Sequence, residues 1–145
     1  ASPPAAETDG PPGAAALAAC LAGAGAEPWL LTDAPCASAV RHAATLYGLP
    51  ADRVLVCPTA AEEIEPWALA CDRLSAFPLS HLIALERVGP AHTPASWSDP
   101  TLSTAFRDRV PAEHWNRCHN MRGGILDDVT PPLHRAWEWV VATKL

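Results

Sequence analysis

The chain has 145 residues with a formal charge of −6; 49% of its residues are apolar and 18% charged, a balance that suits a folded domain and excludes a disordered acidic tail. Ten basic residues against sixteen acidic ones argue against a general nucleic-acid backbone binder but leave room for a local cationic pocket for a small acid, and no apolar run approaches the ~20 residues a membrane helix requires. Alanine dominates the apolar count, with 29 residues against 27 Ile, Leu and Val together, so the six Trp are expected to supply bulk that an Ala-rich core lacks.

Residues 1–6 read as a loop or linker remnant, and Ala1-Ser2-Pro3-Pro4 has neither the basic nor the hydrophobic region of a signal peptide. Asp9-Gly10-Pro11-Pro12-Gly13 then opens a helix over Ala14 to Ala22, with Asp9 as cap and the prolines in the first turn. Ala14, Leu17, Ala18 and Leu21 share a face, and Gly23 and Gly25 end the helix. Trp29-Leu30-Leu31-Thr32 reads as a buried strand ending at Asp33. Ala37, Val40, Ala44 and Tyr47 mark a second helix stopped by Gly48 and Pro50, and Arg53 to Cys57 form a second strand. Thr59 and Glu62 fit a capping box for a third helix, interrupted at Pro66, whose face carries Ile64, Trp67, Cys71 and Leu74. His81 to Glu86 read as a third strand. Short apolar strands alternating with helices indicate an α/β fold: layers with a mostly parallel sheet of at least three strands flanked by helices.

From Arg87 to Pro132 the pattern breaks into a long Gly-, Pro- and His-bearing loop, expected to be functional, with a short helix at Leu102 to Arg109. A last helix carries the stripe Leu133, Ala136, Trp137, Val140 and Val141. An α/β alternation would continue beyond it, so the chain reads as a single, truncated domain over 1–145. The five Cys lack a Cys-x-x-Cys pair, which argues against a zinc knuckle and for reduced thiols in the cytoplasm or, alternatively, the mitochondrial matrix. The first four, Cys20, Cys36, Cys57 and Cys71, sit in apolar stretches as small core residues.

Ligands of open α/β sheets collect at the carboxyl ends of strands, here Thr32-Asp33, Cys57-Pro58-Thr59 and Glu86-Arg87. Glu86-Arg87 places an acid and a fork-shaped cation at that crevice; the competing reading is a structural ion pair of Arg87 with a neighbouring carboxylate. Glu7-Thr8-Asp9-Gly10 precedes a helix start that suits a carboxylate or phosphate, although ordinary capping explains Asp9 equally. Glu113 to Gly123 gathers donors, acceptors and a thiol: Arg122 as a carboxylate clamp with His119 as proton carrier is one reading. Metal binding by His114, Cys118 and His119, a Cys118–His119 nucleophile pair and a plain polar loop are the others. His42 and His134 lie on helices and read as structural.

At these segments the sequence resembles the D-glutamate cyclase family. The resemblance rests on Glu7-Thr8-Asp9-Gly10-Pro11-Pro12-Gly13, on His81-Leu82-Ile83-Ala84-Leu85-Glu86-Arg87 with Gly89, and on Asn120-Met121-Arg122-Gly123, in that order. It implies a hydro-lyase that converts D-glutamate, a small amino diacid, to 5-oxo-D-proline and water. On that basis Glu7, Glu86 and His119 are candidate catalytic residues, and Thr8, Asp9, Gly10, Arg87, Asn120, Arg122 and Gly123 candidate substrate-binding residues. The resemblance also allows a divalent cation, manganese or magnesium, with Asp9, Asp33 and Glu86 as candidate oxygen ligands. It further implies a strand and Gly-rich turn before the first motif and a Gly-Asp-Gly-Gly-Asn-Glu-type segment after the last helix; this chain carries neither. The alternatives are a small-acid-binding module without turnover and an inactive part of a larger enzyme.

Overall fold

The computed structural model describes residues 9–57, 74–76, 78–85 and 87–144. Helix α1 (Gly10–Gly23) leads to strand β1 (Leu30–Asp33), helix α2 (Ala37–Leu46) and strand β2 (Val54–Cys57). Helix α3 (Pro100–Arg109) and helix α4 (His134–Lys144) follow, with short 3-10 turns at Ala51–Arg53, Pro94–Ser96 and Ala112–His114.

β1 and β2 pair in parallel, with Leu30 opposite Val54 and Asp33 opposite Cys57, so β1–α2–β2 is a parallel crossover unit. Because strand side chains alternate between faces, the pair is covered on both sides. Leu30 and Val54 pack with Ala15 and Ala18 of α1 and Val40, Ala43 and Ala44 of α2. On the other face Cys57 packs with Leu74 and with Leu133 and Ala136 at the start of α4, and Leu31, Leu55 and Trp139 lie against that cluster. This is a helix–sheet–helix layering, and it confirms the mixed helix and strand character read from the pattern.

The expected third strand is not formed in the described residues: His81 to Leu85 have no strand pairing, and Glu86 lies outside them. The physical reason is visible in its exposure. Ile83 is 55% exposed, so this run lacks the cover on both faces that a central parallel strand needs. It instead passes the first turn of α1, where Leu85 lies against Gly13.

The first helix starts where the prolines allow, with Pro11 and Pro12 in its first turn, but Asp9 makes no side-chain cap bond. Its buried face is Ala15 and Ala18, while Leu17 is exposed. The small residues turn inward because α1 meets the alanine face of α2 closely. Similarly, Tyr47, Trp137 and Val141 fall outside the buried faces expected for them. Gly25 and Gly48, both at positive φ, follow α1 and α2 as expected. Asp99 caps α3 through its side chain, accepting from the Thr101 N–H.

Among the cysteines expected in the core, Cys57 is buried and Cys36 half-buried, whereas Cys20 is exposed on α1. Cys71 and the expected capped helix beginning at Thr59 lie outside the described residues, as do Glu7, Thr8 and the segment 1–6. No described helix is long and apolar enough to cross a membrane.

Candidate functional site

Asp33 ends β1 with only 1% of its surface exposed, and burying a carboxylate there requires compensation. Its Oδ1 accepts the Cys36 backbone N–H at 2.9 Å, tying the strand tip to the start of α2. Its Oδ2 lies 2.8 Å from Arg87 Nη2. That second contact is an ion pair, because Oδ2 accepts no hydrogen bond with acceptable angles. The same Arg87 nitrogen donates to the Pro131 carbonyl at 3.3 Å. One guanidinium thus joins the tip of β1 to the chain entering α4.

A hairpin carries the loop motif back to this place. Pro90 bridges Cys118, and Ala91 donates its backbone N–H to the Arg117 carbonyl at 2.9 Å. His119 bridges Ile125, and Leu126 donates to the Cys118 carbonyl at 2.8 Å. The hairpin is pinned by Asp127, whose Oδ1 accepts the Cys118 N–H at 2.7 Å and whose Oδ2 holds Arg117 Nε at 2.6 Å. Asn120 shapes its turn: Oδ1 accepts the N–H groups of Arg122 and Gly124, both at 2.9 Å. Gly123, at φ 79°, supplies the left-handed conformation the turn needs.

The charge of Arg87 acts on two thiols. Burial pushes the Cys36 thiol above its ordinary value of 9.0, Asp33 pushes it further by hydrogen bonding and charge, and Arg87 opposes them. Burial likewise raises Cys118, aided by the charge and hydrogen bond of Asp127 and opposed by the charge of Arg87.

His114 Nδ1 and His119 Nε2 are 2.9 Å apart with stacked rings 5.1 Å between centroids. One nitrogen must carry a proton and the other a lone pair, so the two imidazoles share a proton between the turn at Ala112–His114 and the hairpin.

A family model described as D-glutamate cyclase-like, C-terminal matches residues 1–97. The chain belongs to this family. No curated protein and no solved structure matches it. The D-glutamate cyclase-like match spans the first two sequence motifs, together with β1, β2 and Arg87, and stops before the third motif at Asn120 to Gly123.

In this D-glutamate cyclase-like domain the structure brings Arg87 and Asp33 together, with Cys36 and the Cys118 end of the hairpin beside them. Gly10 lies in the first turn of α1, the turn that Leu85 meets two residues before Arg87, and Asp9 is exposed ahead of it. Asn120, Arg122 and Gly123 are exposed at the hairpin turn, and His119 is half-buried against His114. Glu7, Thr8 and Glu86 lie outside the described residues.

The ion pair that competed with a ligand role for Arg87 is therefore present. Asp33, offered as a metal ligand, faces a guanidinium, and among the described residues no three His, Cys, Asp or Glu side chains gather as a metal site. Asp9, the second candidate ligand, is exposed ahead of α1, and Glu86, the third, lies outside the described residues. Sequence reading missed Asp127 and Arg117. A carboxylate following the glycines of a hairpin was the signal available, but only pairing between strands of the hairpin reveals it.

Proposed function

We propose that this domain cyclises D-glutamate to 5-oxo-D-proline and water. The observation that carries the reading is the family match over residues 1–97, which includes Arg87 at the strand tips. In the reaction the α-amine nitrogen attacks the γ-carboxyl carbon, a carbon–nitrogen bond forms, and one γ-oxygen leaves with two protons as water. Folding the substrate so that amine and carboxyl meet supplies much of the acceleration.

Arg87 is assigned the α-carboxylate. Its contacts to Asp33 and Pro131 run through Nη2, and a guanidinium has donors enough to serve a second carboxylate as well. Because Asp33 offsets its charge, recognition relies on the planar fork rather than on net positive potential. Glu86 or Glu7 takes the proton of the amine, and His119, sharing a proton with His114, returns one to the leaving oxygen. The start of α1 from Asp9 to Gly13, with Thr8 ahead of it, offers backbone N–H groups to the developing oxyanion. Asn120, Arg122 and Gly123 close the hairpin turn over the second carboxylate. No step passes through a metal.

The test is incubation of the protein with D-glutamate and chiral chromatography for 5-oxo-D-proline. Product formation is expected. Binding of D-glutamate without product would make the domain a small-acid-binding module, and neither product nor binding would remove the reading.

A further inference from the structure

We infer that Asp33 is a positioning residue: from its buried place at the tip of β1 it holds the Arg87 guanidinium at the mouth where a substrate carboxylate is bound. The substrate part of this inference rests on the function proposed above; the positioning part stands on geometry alone. Among the described residues, the stretch before the bridge at Pro90 has no strand pairing, so no backbone ladder at Arg87 itself fixes where its long side chain points. Left to itself, such a side chain samples many rotamers, and ordering it costs conformational entropy. Two acceptors from distant parts of the chain do the ordering: Asp33 Oδ2 at 2.8 Å and the Pro131 carbonyl at 3.3 Å.

The carboxylate itself cannot wander. It is 1% exposed, and Oδ1 is fixed by the Cys36 N–H at the start of α2. Oδ2, for which the ion pair is the only acceptable compensation among the described residues, is buried without an angled hydrogen bond. An anion so placed attracts a cation strongly, and among the described residues the one in contact is Arg87. Oxygen chemistry that could have served a metal is thereby committed to an arginine. Arg87 opposes the raising of the Cys36 thiol by charge and hydrogen bonding, which gives the arrangement a built-in reporter.

Asp33→Asn keeps an oxygen for the Cys36 N–H but sets an amide against Nη2, releasing the guanidinium. The test reads the alkylation rate of Cys36 at mildly alkaline pH by peptide mass spectrometry, in the wild type, Asp33→Asn, Arg87→Gln and the double variant. Arg87 favours the thiolate, so Arg87→Gln slows Cys36 about threefold when Asp33 is present. If Asp33 holds the guanidinium beside the thiol, Arg87→Gln has little effect in the Asp33→Asn background, the signature of coupled residues. Equal slowing in both backgrounds, or none in either, overturns the inference. Should Arg87→Gln strand the buried carboxylate and unfold, Arg87→Lys takes its place in the same comparison.

The substrate part is read separately. Asp33→Asn is expected to raise the KM for D-glutamate about tenfold, with kcat within about twofold of the wild type. An unchanged KM with a lowered melting temperature makes Asp33 structural only and overturns that part. Absence of turnover in the wild type removes the cyclase reading instead, and the thiol comparison still decides whether Asp33 positions Arg87.

Discussion

Asp127 does in the hairpin what Asp33 does at the strand tip: each carboxylate accepts the backbone N–H of a cysteine and holds an arginine, Cys118 and Arg117 in one case, Cys36 and Arg87 in the other. The two differ in solvent access, since the Asp33 side chain is 1% exposed and that of Asp127 28%. Water can therefore replace part of what Asp127 provides. Asp127→Ala is expected to cost about 1–2 kcal/mol, mostly through the lost acceptor of the Cys118 N–H. Asp127→Asn, which keeps an acceptor, should cost less. Urea denaturation followed by tryptophan fluorescence measures both; equal costs would show that the charge on Arg117 matters more than the backbone bond.

The two arginines proposed to meet carboxylates are held very differently. Arg87 is ordered by Asp33 and Pro131, whereas Arg122 is exposed at a turn that uses its backbone N–H, not its side chain. A preorganised cation loses less entropy on binding than a free one. Arg87→Ala should therefore raise the KM for D-glutamate at least about tenfold, and Arg122→Ala by about threefold or less. Steady-state kinetics on both variants decide it. A larger effect from Arg122 would move the carboxylate clamp to the hairpin.

What the sequence discloses follows from how local each signal is. β1, β2, α1 and α2 are legible because short apolar runs and glycine stops lie within one element. The run from His81 to Leu85 is equally apolar, yet its Ile83 is exposed, because composition alone cannot say whether a neighbouring strand is there to pair with it. The face of α1 was misread for a related reason: close helix approach favours Ala15 and Ala18 over Leu17. At the site, Arg87 is conspicuous as a cation after an apolar run. Its partner Asp33 is conspicuous only as a strand end, and their pairing depends on tertiary packing.

The thiols supply a pH-dependent prediction. Cys36 and Cys118 are both raised above 9.0, chiefly by burial, so the folded state keeps their protons at pH values where the unfolded chain loses them. The unfolded state then binds fewer protons, and stability falls as pH rises through the unfolded thiol value. No contribution from these groups is expected below it. Urea titrations across the range from neutral to pH 10 should show a decline that is reduced in Cys36→Ala and Cys118→Ala. A decline of the same size in both variants would assign it to other groups.

The stretch from His92 to Trp115 has its own small aromatic core, which explains how its irregular parts keep their shape. His92, Trp97, Phe106 and Trp115 form a row with ring centroids 4.9, 6.2 and 6.4 Å apart. Trp115 closes the row by donating its Nε1–H to the Val110 carbonyl at 2.9 Å. Phe106 lies at the centre, on α3, so it links the turn at Pro94–Ser96 to Trp115, between the turn that carries His114 and the hairpin that carries His119. Phe106→Ala removes contacts on both sides; because the ring is only half-buried, the expected loss is about 2–3 kcal/mol, at or below the low end for core aromatics. Hydrogen exchange should then quicken at Ala91 and Leu126, whose N–H groups tie the hairpin together, while Leu31 and Leu55 in the sheet stay protected. Uniform loss of protection would mean instead that the aromatic row and the sheet unfold as one unit.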